Sequence, residues 1–335
     1  MRVLQLGFGA VGRENVRQIL GKRHQVVGIV DTQDVIDTID LGEFDFAQAP
    51  PPVLATDLVA CLSRTKPDVI LQATTFDAGN MVDVVRAAAS VGANLITING
   101  IVDTEKLQPQ LHAEIEALAG AAGIRVLGVG AIPGFFSDVV PLMLTGCCAQ
   151  VRSIDFRRRA DYSVWGPDVM KRYGFGLTQQ AFDQANQAGQ ITLFKALWQS
   201  AWFVARELRW TVTDQHEDKR PIISTRDRQG RHVRVEAGTV GGFSHRVTLI
   251  CEEDRRLTLG VDGYLDPSGA DEEPGMVTEL SGNSSMRVEI SGDVLTGVGS
   301  MTSSSARMVN SIGPLAAAAP GLRSTADLPL VACRA

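Results

Sequence analysis

The sequence predicts an α/β protein of two domains: a doubly wound parallel sheet, then a second α+β domain built on a mixed or antiparallel sheet. Three observations predict it. Strand-like and helix-like segments alternate from Met1 to about Gly130. A glycine-rich turn joins the first of those strands to the first helix. From Val151 onward the pattern changes to longer runs in which polar and apolar residues alternate, as on a sheet with one covered face.

In order, "RVLQLG" (Arg2 to Gly7) reads as a short buried strand, and "GAVGRENVRQILG" as a helix with an apolar face at Val11, Val16, Ile19 and Leu20. "QVVGIVD" is a second strand. "FAQAPPPVLA" is loop, because three successive prolines suit neither a helix nor a central strand. The strand "DVILQAT", the helix "AGNMVDVVRAAASVG" and the strand "NLITIN" follow. A helix over "TEKLQPQLHAEIEALAGAAG" and the strand "IRVLGVG" complete the alternation, which implies a parallel sheet covered on both sides. Strands are then expected at "VRSIDFRR", "RHVRVEAGTVGG", "SHRVTLICEE", "RLTLGVDGYL" and "MRVEISGD", with a helical insertion from about Leu177 to Leu208. "DPSGADEEPGM" reads as a loop, "SSSARMVNSIGPLAAAAPG" as a helix with a proline-glycine stop, and "LRSTADLPLVA" as a tail.

Composition sets the broad class. The chain has 335 residues, 44% hydrophobic and 21% charged, with a net charge of -6, so it reads as globular and offers no basic footprint for nucleic acid. "FRRRAD" (Phe156 to Asp161) is the densest basic run and reads as a solvated strand end rather than a phosphate clamp. The five cysteines and five histidines form neither C-x-x-C nor H-E-x-x-H patterns, which leaves no expected metal site and no disulfide framework. No apolar run approaches a membrane span, and the expectation is a cytoplasmic protein.

Gly7-Phe8-Gly9-Ala10-Val11-Gly12 fits G-x-G-x-x-G between a strand and a helix, the Rossmann-type context in which the motif carries weight. Gly7 permits a tight turn, Gly9 the approach of a pyrophosphate, and Gly12 close helix–strand packing. Asp31 ends the second strand 19 positions after Gly12, where a carboxylate accepts ribose hydroxyls and repels a 2′-phosphate. NAD is therefore favoured. NADP remains possible through Arg13, Lys22 and Arg23. Thr74, Thr75 and Asn99 fall at the carboxyl ends of later strands, where such sheets bind ligands.

"IPGFF" at Ile132 to Phe136 follows a strand and places a proline where a helix could start. The segment "GVGAIPGFFSD" resembles the G-x-G-x-N-P-G-F-x-x-D motif of the 2,4-diaminopentanoate dehydrogenases and related native amine dehydrogenases, within the dihydrodipicolinate reductase-like superfamily. "YGFGLTQQAF", "GTVGGFSHRVT", the stretch from "EISGDVLTGVG" to "AAAAPGL", and "TADLP" are similar to the same family. The resemblance implies NAD(P)H-dependent hydride transfer to or from an imine or amine carbon. It also implies domains at about 1–130 plus 303–335 and at 131–302, and a homodimer. Ile132, Pro133, Phe135, Phe136, Tyr162 and Gln190 would line the substrate pocket. Gly100 and Ile101 stand where the family carries a pocket glutamate, Ile132 replaces its asparagine, and Gly189 to Leu193 replaces a histidine motif. The expected reaction is therefore reduction of an imine rather than amination with free ammonia. The alternatives are a ketone reductase, or a non-catalytic NAD(P)-binding regulatory subunit. Hydride transfer leaves an atom that needs a proton, and Asp138, Tyr173 and His245 are the candidate donors. Asp103 and Glu105 are expected to cap the following helix.

Overall fold

The structure is a computed structural model that describes residues 1–22, 24–46, 50–74, 78–194, 196–269 and 272–334. The chain divides into two compact units, Met1–Phe136 with Met301–Ala335, and Ser137–Ser300.

The first unit holds β1 (Arg2–Leu6), β2 (Gln25–Val30), β3 (Val53–Ala55), β4 (Val69–Gln72), β5 (Asn94–Thr97) and β6 (Arg125–Gly128). Counting outward from β3, the strands run 3-2-1-4-5-6, all parallel, the order of a dinucleotide-binding sheet. Alternate residues of the same strands feed two separate cores. Leu4, Ile70, Leu95 and Val126 pack with Met81, Val85 and Ile115 on one face. Val3, Leu71, Ile96 and Leu127 pack with Val16, Ile19, Met308 and Ile312 on the other. Two apolar faces per strand explain why these segments read as unbroken hydrophobic runs.

The second unit contributes β7 (Val151–Asp161), β8 (Val212–Ile223), the short pair β9 (Arg228–Gln229) and β10 (Arg234–Val235), β11 (Val240–Cys251), β12 (Arg255–Tyr264), β13 (Gly275–Gly282) and β14 (Met286–Ile290). Six of them form one sheet in the order β14-β13-β7-β12-β11-β8. The sheet is mixed: β7 and β12 run parallel, and its other pairs are antiparallel. Ile154, Phe156, Phe243, Val247, Leu257 and Leu259 are buried on one face, against which the helix Ala196–Glu207 packs. The other face is polar, with Arg246 paired to Asp262 and Thr248 to Thr258.

Several expectations are corrected. β8 was not expected, because "DQHEDKR" gives this exposed edge strand the composition of a loop. β15 (Gly321–Arg323) lies in the expected tail and adds a seventh parallel strand beside β6. The helix expected from Thr104 starts at Pro109, because a proline at the first helical position gives up only an N–H that has no partner there. Asp103 and Glu105 therefore lie upstream of that helix and are not its caps. No helix starts at Pro133. The Ile132–Pro133 peptide is cis, Gly134 has φ +115°, and the next helix, Val139–Thr145, waits for Asp138 as its cap.

Gly134 fixes that loop. A Cβ there would stand 2.4 Å from the Gly130 backbone nitrogen, in a backbone conformation that side chains avoid. Gly134→Ala should cost about 2 kcal/mol or more and lower the melting temperature by several degrees, measured by calorimetry.

Candidate functional site

The glycine turn is built from its backbone outward. Gly7 has φ +84° and donates its N–H to the Val30 carbonyl at 2.8 Å. A Cβ on Gly12 would lie 2.0 Å from the Gly7 oxygen, so only glycine lets the helix Ala10–Gly21 start this close to β1. Gly9 is the helix N-cap and supplies no side-chain cap, and a Cβ there would meet nothing within 4 Å. The first N–H groups of this helix thus face an unobstructed approach, with no acidic residue in the first turn. Ala10 and Val11 form that turn.

Two polar side chains hold the turn from below. Gln5 Nε2 donates to the Gly7 carbonyl at 2.7 Å, and Asn15 Nδ2 donates to Gln5 Oε1 at 3.0 Å, all fully buried. Neither residue was singled out from the sequence, although a glutamine inside the apolar "RVLQL" was the available signal. From above, Asp31 Oδ2 accepts the Phe8 N–H at 2.5 Å and Oδ1 accepts the Thr32 N–H at 2.7 Å. The Phe8 ring itself points into the core, 1% exposed, and packs against Phe44.

The cations considered for a 2′-phosphate are engaged elsewhere. The Arg13 guanidinium lies 4.9 Å above the Phe8 ring and 3.5 Å from the Glu43 carboxylate. Lys22 caps the far end of the twelve-residue helix, about 18 Å away. There it donates to the Arg334 carbonyl at 2.8 Å. Arg23 lies outside the described residues.

At the carboxyl ends of β4 and β5 the Thr74 hydroxyl accepts from Asn99 Nδ2 at 2.9 Å and from Gln72 Nε2 at 3.1 Å. Thr97 Oγ1 accepts the Asn99 N–H at 3.0 Å. Gln72 Oε1 is buried and has no hydrogen-bond partner among the described residues. Thr75 lies outside the described residues. The loop after β5 is closed: Ile101, Val102, Asp103 and Thr104 are all buried.

"IPGFF" folds into a tight turn, with the Phe136 N–H donating to the Ala131 carbonyl at 2.9 Å. Phe135 and Phe136 meet edge to face at 5.0 Å, Phe136 is buried, and Ile132 and Pro133 are half-buried. This wall is less apolar than its sequence suggests, because the Arg307 guanidinium sits 4.4 Å over the Phe135 ring.

The three candidate proton donors lie in the second unit. Asp138 is fully buried; Oδ1 accepts the Val139 N–H at 2.7 Å and Oδ2 the Ser200 hydroxyl at 2.7 Å. Its carboxylate caps a helix and ties it to the helix Ala196–Glu207. His245 is also fully buried, with Nε2 2.9 Å from Glu217 Oε1 and Nδ1 without a hydrogen-bond partner among the described residues. The hydrogen bond from His245, assisted by Lys219, lowers the Glu217 pKa to about 2. Tyr173 belongs to an aromatic box. Its ring lies 5.5 Å from Tyr162 and 5.2 Å from Phe243, and Phe175 also packs on Phe243. Burial raises the pKa of both tyrosines, so their hydroxyls stay protonated. Gln190 lines a groove of about 850 Å³ with Leu177, Ala181 and Ile191.

Among the described residues no group of three or more His, Cys, Asp or Glu side chains is placed to hold a metal ion. No helix among them is long and apolar enough to cross a membrane.

A parallel sheet in this strand order, with a glycine turn opening a helix and a carboxylate closing the next strand, defines the dinucleotide-binding class of α/β proteins. Within that class the chain belongs to the family of the 2,4-diaminopentanoate dehydrogenase C-terminal domain, whose profile matches residues 135–335. It is 25% identical over 337 residues to a 2,4-diaminopentanoate dehydrogenase of Acetoanaerobium sticklandii, covering 98% of this chain and 94% of that protein. It is 24% identical to an amine dehydrogenase of Streptomyces virginiae, covering 97% and 95%. The solved amine dehydrogenase of Mycobacterium smegmatis superposes over 100% of this chain and 97% of its own, with a TM-score of 0.83 at 21% identity, which establishes the shared fold.

Two outcomes follow for the second unit. The Glu217 pKa is depressed on folding from 4.5 to about 2, so its stabilisation is complete above the ordinary value and is lost as pH falls toward 2. Glu217→Gln should lower the melting temperature near pH 6, and the gap from the parent should narrow below pH 4.5 and close only as pH nears 2. Asp138→Ala should destabilise by about 1–3 kcal/mol through loss of the cap and the Ser200 bond, and Asp138→Asn by less, by chemical denaturation.

Proposed function

We propose that this chain is an NAD(P)-dependent oxidoreductase acting at an amine or imine carbon, with NAD the favoured cofactor and a preformed imine the favoured acceptor. The observation that carries this reading is the glycine turn held by Asp31 above and by Gln5 and Asn15 below, in a chain of this family.

The residues present fit a dinucleotide. The opening at Gly9 lets a pyrophosphate reach the start of the helix Ala10–Gly21, where Ala10, Val11 and Gly12 offer backbone N–H groups. Asp31 spends one lone pair of each oxygen on Phe8 and Thr32, which aims the remaining pairs at ribose hydroxyls. Its negative charge disfavours a 2′-phosphate, and Glu43 beside Arg13 offsets the nearest cation. Thr74, with two donors already on its oxygen, keeps its own proton to donate, and the orphan Gln72 Oε1 can accept, a pair suited to a carboxamide.

When bound, the nicotinamide supplies or accepts the hydride. The chain contributes position and exclusion of water, with Ile132, Pro133, Phe135 and Phe136 as the apolar wall. The loop at Gly100 and Ile101 brings no carboxylate where the family's pocket acid falls, and Ile101 is buried. A preformed iminium needs no such acid, because hydride addition neutralises it. On this reading Asp138 is a positioning residue. The same reading has the enzyme working as a homodimer in the cytoplasm.

Fluorescence titration with NADH and NADPH tests the cofactor assignment. NADH should bind more tightly, and Asp31→Asn should weaken NADH roughly tenfold or more while leaving NADPH little changed. Tighter NADPH binding by the parent protein would overturn it. NADH oxidation with 1-pyrroline should exceed that with cyclopentanone, with or without ammonium. Ammonium-dependent turnover of the ketone as the dominant activity would replace the imine reading by amination.

A further inference from the structure

Arg13, the candidate for a 2′-phosphate in the glycine motif, does not stand alone. Arg17 follows it by one turn on the helix Ala10–Gly21, so the two side chains share a face. Each guanidinium lies over an aromatic ring, Arg13 at 4.9 Å from the centre of Phe8 and Arg17 at 5.5 Å from that of Phe44. The two rings are buried and touch, with centroids 5.8 Å apart. A guanidinium seated on a ring keeps the N–H groups of its edge for an anion. Two such forks fixed side by side suit a phosphate ester.

An anion already stands there, and the chain itself supplies it. Glu43 Oε2 lies 3.5 Å from Arg13 Nη1 and 4.0 Å from Arg17 Nη2. Local sequence puts it in place. Asp40 Oδ1 accepts the Gly42 N–H at 2.8 Å and opens a single 3-10 turn, Leu41–Glu43. The next residue, Phe44, is buried against Phe8 and fixes where that turn ends. Arg17 has a second acid, Glu14, at 3.8 Å, whereas Arg13 pairs with Glu43 alone among the described residues. A cavity of about 310 Å³ opens against Arg17, Glu43 and Phe44, so the cluster borders open space rather than packed core.

Phe8 ties this cluster to the acid at the end of β2. Its backbone N–H is held by Asp31 and its ring carries Arg13, so one residue sets both the ribose acid and the nearest cation. The two acids then act on different parts of NADP. Asp31 repels the 2′-phosphate at its ester oxygen, and Glu43 cancels the charges that would receive the phosphate. Loss of Asp31 alone leaves those charges cancelled.

We propose that Glu43 is a specificity-determining residue: its carboxylate occupies the anion position between Arg13 and Arg17 and so denies it to the 2′-phosphate of NADP. The assignment deepens the cofactor reading above and rests on it.

Fluorescence titration of the full chain with NADH and NADPH tests it, in the parent, in Glu43→Gln and in Glu43→Gln/Arg13→Gln. Half-exposed ion pairs of this kind contribute little to stability, so the variants should fold. In Glu43→Gln the NADPH affinity should rise about tenfold relative to the NADH affinity, because charge-assisted bonds to the phosphate become available. The added Arg13→Gln should remove that gain, and high salt should shrink it. An unchanged ratio of the two affinities in Glu43→Gln, an equal rise for both cofactors, or a gain that survives Arg13→Gln overturns the assignment. The parent separates the two claims. NADH binding by the parent with no change of ratio in Glu43→Gln defeats the role of Glu43 alone. A parent that binds neither cofactor defeats the dinucleotide reading, and this role with it.

Discussion

The close approach of the first helix to the first strand governs the chemistry of the first unit. At Gly12 the helix passes so near the Gly7 carbonyl that a single methyl group would fall 2.0 Å from it. That contact points the start of the helix over the end of the sheet. The Gly7 carbonyl turned inward by the same contact would be an orphan acceptor, and Gln5, held by Asn15, satisfies it in a fully buried bond. Asp31 then fixes the other side of the turn through the Phe8 amide, and the Phe8 ring anchors the turn in the core. One packing constraint thus accounts for Gly7 and Gly12, the buried amide pair and the placement of the acid.

In the second unit the decisive physics is the pairing of charge. Its polar sheet face is laced with ion pairs between neighbouring strands, such as the diagonal Arg246–Asp262 and the directly opposed Arg287–Glu279. Exposed pairs such as Arg287–Glu279 contribute little to stability and chiefly keep the face polar. The covered face differs. There His245 and Glu217 form a bonded pair among buried apolar side chains.

Most of the fold was legible because buried parallel strands are continuous apolar runs and the helices between them show clear apolar faces. The failures have physical causes. β8 is a charged edge, and β15 is three residues long and takes its strand character from the neighbouring β6. "IPGFF" looks like a helix start, but Gly134 at φ +115° and the cap at Asp138 delay the helix. The glycine turn and Asp31 were legible because backbone sterics dictate them. Asn15 and Arg307 were not, since their partners, Gln5 and the Phe135 ring, are set by tertiary contact.

The decisive measurement is transfer of deuterium to 1-pyrroline from NADH carrying deuterium at both C4 positions of the nicotinamide. The product should be pyrrolidine carrying one deuterium at the former imine carbon, with no requirement for ammonium. NADH that binds at the glycine turn while no label reaches carbon, across both imines and the parent ketones with ammonium, would contradict it.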